Sequence, residues 1–165
     1  MVMMEGTKMS KAPGIDEHAE QSLLFEWAEI VQETYPELKY MHAIPSGAKL
    51  PYHHDNSGKR VSIQGARLKR EGLKRGIPDI CLPVPRGHWH GLYIELKRSS
   101  GGRLTPEQLD CIIFLNGQGY FACICNGFEN AKAVIEWYLN QPKWKPTMHP
   151  AFFPPPVAIR PGMLP

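Results

Sequence analysis

Asp79, Glu95 and Lys97 have the side-chain types that metal-assisted chemistry uses. Glu95 and Lys97 lie in Leu92-Tyr93-Ile94-Glu95-Leu96-Lys97, a run that reads as a β-strand. Side chains alternate along a strand, so Leu92, Ile94 and Leu96 face one way and Tyr93, Glu95 and Lys97 the other. A carboxylate and an ammonium group therefore share a face. Taken alone, Glu-x-Lys is a very common tripeptide and reads better as an ion pair on an amphipathic edge strand. Asp79 adds to it. Gly76 lets the chain turn and Pro78 fixes its entry angle, so Asp79 stands at the mouth of an apolar, strand-like run from Ile77 to Val84. Its other reading is a turn or cap residue. If the two strands form a hairpin across the RGHWHG turn (86–91), Asp79 and Glu95 become cross-strand neighbours. Adjacent carboxylates repel unless a cation lies between them, and Mg²⁺, a hard ion that prefers oxygen donors, suits such a pair.

Several elements must position these residues. Asp16 can cap a helix running to about Thr34, with Leu23, Leu24, Trp27, Ile30 and Val31 at helical spacing and Pro36 ending it. Tyr40 to Ile44 reads as a short strand, followed by a Pro45-Ser46-Gly47 turn and a polar loop over 48–60. Ser62 to Leu73 reads as a short basic helix. Thr105-Pro106-Glu107-Gln108 is a helix start, with Thr at N-cap, Pro at N1 and Gln at N3, and that helix runs to about Asn116. Tyr120 to Cys125 reads as a strand and Phe128 to Leu139 as an amphipathic helix. The order α-β-α-β-β-α-β-α predicts one α/β domain over 15–140, with a mixed central sheet and helices on both faces. Residues 1–14 read as disordered. Residues 141–165 hold eight of the sixteen prolines and read as a disordered appendage or an extended arm packing on the domain or a partner.

Composition narrows the class. The chain has 165 residues, 42% hydrophobic and 21% charged, which fits one globular domain with a proper core. No apolar run approaches the ~20 residues that span a bilayer, and the N-terminus lacks the apolar segment of a signal peptide. A cytoplasmic, intracellular protein with no membrane partner is expected. Cys81, Cys111, Cys123 and Cys125 lack the paired spacing of a zinc site and read as reduced thiols. Charge is unevenly distributed. Seven acids and no Lys or Arg lie between Asp16 and Glu37, whereas seven bases accompany Glu71 alone between Lys59 and Arg75. One segment suits a metal and the other phosphates; two solvated faces of opposite sign is the plainer reading.

The order Gly-x-Pro-Asp, a turn, then Glu-Leu-Lys resembles the PD-(D/E)xK nuclease superfamily with its restriction-endonuclease-like core. More narrowly, the chain is similar to stand-alone VRR-NUC domains of phage and bacteria. HAIPSGAK (42–49), ARLKREGLKRGIPDI (66–80), HGLYIELK (90–97), GRLTPEQ (102–108) and GYFACICNG (119–127) carry the likeness, which spans roughly residues 17–140.

The resemblance implies a Mg²⁺-dependent DNA endonuclease, with Mn²⁺ able to substitute. It places Asp79 and Glu95 as metal-binding carboxylates, the carbonyl of Leu96 as a further oxygen ligand, Lys97 as the catalytic lysine and Gln108 as a helix glutamine of the site. It also implies a metal-binding glutamate on the first helix, followed four residues later by Gln. Glu17 with Gln21 fits and is preferred; Glu20 competes, being its surface neighbour at i+3. Glu17 also reads as a first-turn acid complementing the helix dipole, and Gln108 as the N3 residue of a capping box. Lys97, beside two carboxylates, is expected to stay protonated and to act by electrostatic stabilisation. Arg67, Lys69, Arg70, Lys74 and Arg75 would hold the DNA backbone without reading sequence. His88, Trp89 and His90 read as contacts to nucleic acid or a second subunit, or as an exposed hairpin tip; His53-His54-Asp55 reads as polar loop. The implied substrate is branched DNA such as a four-way (Holliday) junction, cut by a homodimer with one site per subunit. Flap trimming, nicking, or a non-catalytic DNA-binding module of the same fold are the alternatives.

Overall fold

A computed structural model describes residues 16–45 and 51–144. The readings for 1–14, for most of the turn after Pro45 and for the bulk of the proline-rich tail lie outside these residues. The chain runs α1 (Glu17–Ile30), a 3-10 turn (Pro36–Tyr40), β1 (His42–Ala43), β2 (His53–His54), β3 (Arg60–Val61), α2 (Ile63–Arg70), β4 (Ile80–Leu82), β5 (Leu92–Lys97), α3 (Pro106–Gly117), β6 (Phe121–Asn126) and α4 (Gly127–Leu139). Four strands form a mixed sheet in the order β1-β4-β5-β6, antiparallel except for the parallel β5/β6 pair. The central β5 is therefore paired on both edges, and it buries five of its six residues and half-buries Tyr93.

Leu92, Ile94 and Leu96 point into the core with Leu24, Ala28, Ala131, Ile135 and Tyr138, so α1 and α4 cover that face of the sheet. Full burial of each such aliphatic side chain stabilises by about 1.5–3 kcal/mol. Tyr138 is wholly buried, and its hydroxyl donates to Val84 O at 2.7 Å, which satisfies the polar tip. The helix α3 lies over the opposite face, where Gln108 meets Glu95.

Several expected elements are shorter in the structure, each for a local reason. The helix α1 ends at Ile30 rather than Thr34: Val31 leaves helical geometry (φ −95°, ψ 11°), and the chain goes on in turns, with Thr34 N and Tyr35 N both bonded to Val31 O at 2.9 Å, before Pro36. Its buried stripe is Glu20-Leu24-Ala28, while Leu23 and Ile30, two of the apolar positions at helical spacing, are 40% and 79% exposed. Pro78 and Pro83 flank β4 and trim the expected run to three residues, since neither has an N–H for the ladder. The helix α2 stops at Arg70 rather than Leu73. Gly72 takes φ +104°, and Leu73 N bonds to Leu68 O (2.8 Å) and Gly72 N to Lys69 O (3.2 Å), a glycine-closed helix end. The polar loop over 48–60 contains a two-stranded ribbon, β2 with β3.

The hairpin turn is not an exposed tip. Trp89 packs on Phe121, Trp137 and Tyr138, and only His88 and His90 are exposed. The adjoining Arg86 is buried. It donates from Nε to Leu139 O (3.1 Å) and from its guanidinium to Glu37, and Gly87 N donates to Pro142 O (2.8 Å). The first residues of the proline-rich tail are thus held against the turn.

Candidate active site

The approach to β4 sets the first carboxylate. Gly76 takes φ +81° and lies so close to the Glu107 backbone that a Cβ there would sit 2.6 Å from Glu107 O. Only glycine fits that conformation and that contact. Pro78, fully buried, follows, and Asp79 then enters the sheet one residue before β4. The register Ile80↔Ile94 sets Asp79 opposite Glu95. The Asp79 carboxylate accepts from Leu96 N at 3.0 Å, which ties it to β5.

Glu95 is the centre of the group. It is 1% exposed, and Oε1 accepts from both Lys97 Nζ and Gln108 Nε2. Its other oxygen, Oε2, is buried and has no hydrogen-bond partner among the described residues. An unsatisfied buried carboxylate oxygen is costly and calls for an explanation. Burial pushes the Glu95 carboxyl up to about 7; the charges of Asp79 and Glu17 push the same way, against the hydrogen bond and charge of Lys97. Lys97 is itself 6% exposed.

Gln108 fills two roles. Its side-chain oxygen accepts from Thr105 N (2.9 Å) and its backbone N–H donates to Thr105 Oγ1 (3.3 Å), completing a capping box. The same side chain's Nε2 reaches Glu95. The cap thus orients the amide that fixes the carboxylate.

The two first-helix acids separate cleanly. Glu20 is buried, and accepts from Phe128 N (2.7 Å) and Ser99 N (3.2 Å). The helix α4 has no cap from its own Asn126 side chain, so Glu20 supplies it from α1. Burial raises the Glu20 carboxyl, but the hydrogen bonds from Phe128 and Ser99 outweigh it and hold the group below the usual range. Glu17, half-exposed one turn earlier, is the one whose charge bears on Glu95.

The structure thus brings Asp79, Glu95, Lys97 and Gln108 together, with Leu96 between them donating its amide and burying its side chain. The expected basic helix is divided. Arg67, Lys69 and Arg70 are exposed on α2, whereas Lys74 and Arg75 lie beyond its end. Arg67 pairs with Glu71 on the surface (2.8 Å), and Arg75 acts on Glu107 at the start of α3. The four cysteines are free thiols; Cys123 and Cys125 share a side of β6, their sulfurs 3.9 Å apart. Among the described residues no three His, Cys, Asp or Glu side chains form a metal cluster by themselves. Asp79 and the orphaned Glu95 oxygen nevertheless fit Mg²⁺, which usually takes one or two carboxylates and completes its shell with water and substrate phosphate.

A mixed sheet flanked by helices, with this carboxylate–lysine group on the central strand, defines an α/β nuclease-like domain. The VRR-NUC domain model matches residues 26–129, and the chain belongs to that family. The match includes Asp79, Glu95, Lys97, Gln108 and the five bases; Glu17 lies before it. A solved structure described as a VRR_NUC domain protein is 27% identical, with a TM-score of 0.64 over 81% of this chain and 96% of the other. No curated protein matches the chain. No helix among the described residues is long and apolar enough to cross a membrane.

Proposed function

We propose that this domain is a Mg²⁺-dependent endonuclease that hydrolyses phosphodiester bonds in branched DNA, four-way junctions foremost, as a homodimer. The carrying observation is the buried Glu95 oxygen with no hydrogen-bond partner among the described residues, beside Asp79 and Lys97. Asp79, Glu95 and the Leu96 carbonyl would hold the ion, with Glu17 adding negative charge from α1. Once bound, a divalent ion supplies Lewis-acid polarisation of the phosphate and makes its water more acidic; Mn²⁺ supplies the same chemistry.

The chain's own groups do the rest. Gln108 and Lys97 hold Glu95 Oε1, which leaves Oε2 as the free donor. Asp79 is kept in place by the Leu96 amide. Lys97, fixed and desolvated, presents a positive charge to the oxygens on which charge builds in the transition state. Arg67, Lys69, Arg70, Lys74 and Arg75 attract the backbone and give affinity without sequence preference. Two-fold symmetry would set two such sites against the two-fold symmetry of a four-way junction.

The test incubates the protein with four-way, flap, nicked and linear DNA in Mg²⁺ and in EDTA, and measures its mass in solution. Junction cleavage in Mg²⁺ alone, at twice the 18.7 kDa of one chain, is expected. Preferential cutting of flaps or linear DNA would replace the junction reading, and no cutting of any substrate would sink the enzyme.

A further inference from the structure

The segment between β1 and α2 carries a second grouping that the carboxylate site does not use. Tyr52 is 50% exposed. Arg60, from β3, lays its guanidinium carbon 3.5 Å from the centre of the Tyr52 ring, in face-on contact. His54 meets the same ring edge-on, with centroids 5.5 Å apart. The ribbon holding them is braced at its turn. Asp55 Oδ1 accepts from Ser57 N, Ser57 Oγ and Lys59 N, at 2.9, 2.6 and 3.0 Å.

Beside this stack, Pro51, Tyr52, His53, Ile63, Gln64 and Arg67 line an open cleft of about 560 Å³. Among the described residues, its lining carries no acid. Ile63 is 75% exposed, and α2 buries none of its residues. An aromatic ring, a stacked guanidinium and an apolar wall thus stand in solvent, flanked by Lys59 and Arg67.

Fixed π faces next to cations match one partner class: a nucleobase with its flanking phosphates. In a duplex the base faces are covered by neighbouring pairs, so only an unpaired base can take the platform. We propose that the Tyr52–Arg60 stack and its cleft receive an unpaired nucleotide of DNA, the base on the stacked pair and a neighbouring phosphate on Arg67. The Tyr52–Arg60 platform then selects DNA whose pairing is interrupted. This rests on the reading of the chain as acting on DNA, and adds where a preference for non-duplex DNA is read.

The test is equilibrium binding by the full chain in EDTA, by fluorescence anisotropy, to a labelled duplex and to the same duplex with a short single-stranded gap. Wild type binds the gapped DNA more tightly. Tyr52→Ala weakens gapped binding roughly 5- to 100-fold and leaves duplex binding within about twofold. Tyr52→Leu, which keeps the apolar bulk, shows the same loss, and Tyr52→Trp keeps the preference. Equal wild-type affinity for the two DNAs overturns the proposal. So does a preference that survives in Tyr52→Ala or Tyr52→Leu, including the case in which those variants change only the mass of the chain in solution, which would make the Tyr52–Arg60 platform a subunit contact. Cleavage is not read here. A chain with this preference that never cuts in Mg²⁺ sinks the nuclease reading alone; a chain that cuts without the preference sinks only this one.

Discussion

Glu95 combines burial with a carboxyl group, and the combination has a measurable consequence in the metal-free protein. Its folded pKa, pushed to about 7 by burial and by the charges of Asp79 and Glu17, lies above the ordinary 4.5. The folded state therefore binds more protons than the unfolded chain between those values, and stability falls as pH rises through about 4.5 to 7. Glu20 acts in a different window. Its carboxyl is held below 4.5, so its contribution is present above that pH and lost on further acidification. Denaturant unfolding from pH 4.5 to 7.5 should show the falling slope, Glu95→Gln should flatten it, and saturating Mg²⁺ should remove it by displacing the proton. An unchanged slope in Glu95→Gln would assign it to another group. The strand alternation in the sequence already sets Glu95 and Lys97 on one face, and Asp79 is legible from Gly76 and Pro78. The orphaned oxygen is not, because burial of both faces of β5 depends on how α3 packs.

At the level of elements, the two acids of α1 make opposite predictions. Glu20 caps α4 across the domain, and Glu20→Ala leaves the Phe128 and Ser99 amides without their acceptor. That change should cost about 1–3 kcal/mol per group left unsatisfied, while the folded fraction keeps its activity. Glu17→Ala should leave the melting temperature nearly unchanged and weaken metal affinity and cleavage. Thermal melting alongside metal titration separates them; a reversed pattern would exchange their roles. Spacing alone left these two residues competing, because i and i+3 share a helix face. What separates them is a tertiary contact with a helix more than a hundred residues away, which no local pattern encodes. The strong local signals behaved differently. The capping box at Thr105 and the strand Leu92–Lys97 match the expectation closely, while β4 and α2 were overextended because prolines and Gly72 end them sooner than hydrophobicity suggests.

Across the whole molecule, Arg86 joins parts distant in sequence. Glu37, before β1, takes its guanidinium, Leu139 at the end of α4 accepts from its Nε, and Lys143 of the tail pairs with its backbone. Removing Arg86 leaves half-buried Glu37 with Lys143 at 3.7 Å and takes the side-chain donor from Leu139 O. Arg86→Ala should destabilise the fold by roughly 1.5–3 kcal/mol in urea unfolding, with the active-site metal affinity of the folded fraction retained. A loss below about 1 kcal/mol, the level of a surface pair, would show that solvent replaces the guanidinium freely. The RGHWHG turn is legible in the sequence but this lock is not, since neither Arg86 nor Glu37 is distinguished by its neighbours in the chain.

The proposed anchor of a metal-dependent cut is the Glu95 oxygen that has no hydrogen-bond partner among the described residues. Single-turnover cleavage of a four-way junction in Mg²⁺, wild type against Glu95→Gln, tests it most directly. Glutamine keeps the size of the side chain and removes the charge. Glu95→Gln should cleave roughly 10³-fold more slowly, the several kcal/mol that Lewis-acid stabilisation supplies, with the fold intact. Cleavage by Glu95→Gln at the wild-type rate would contradict it.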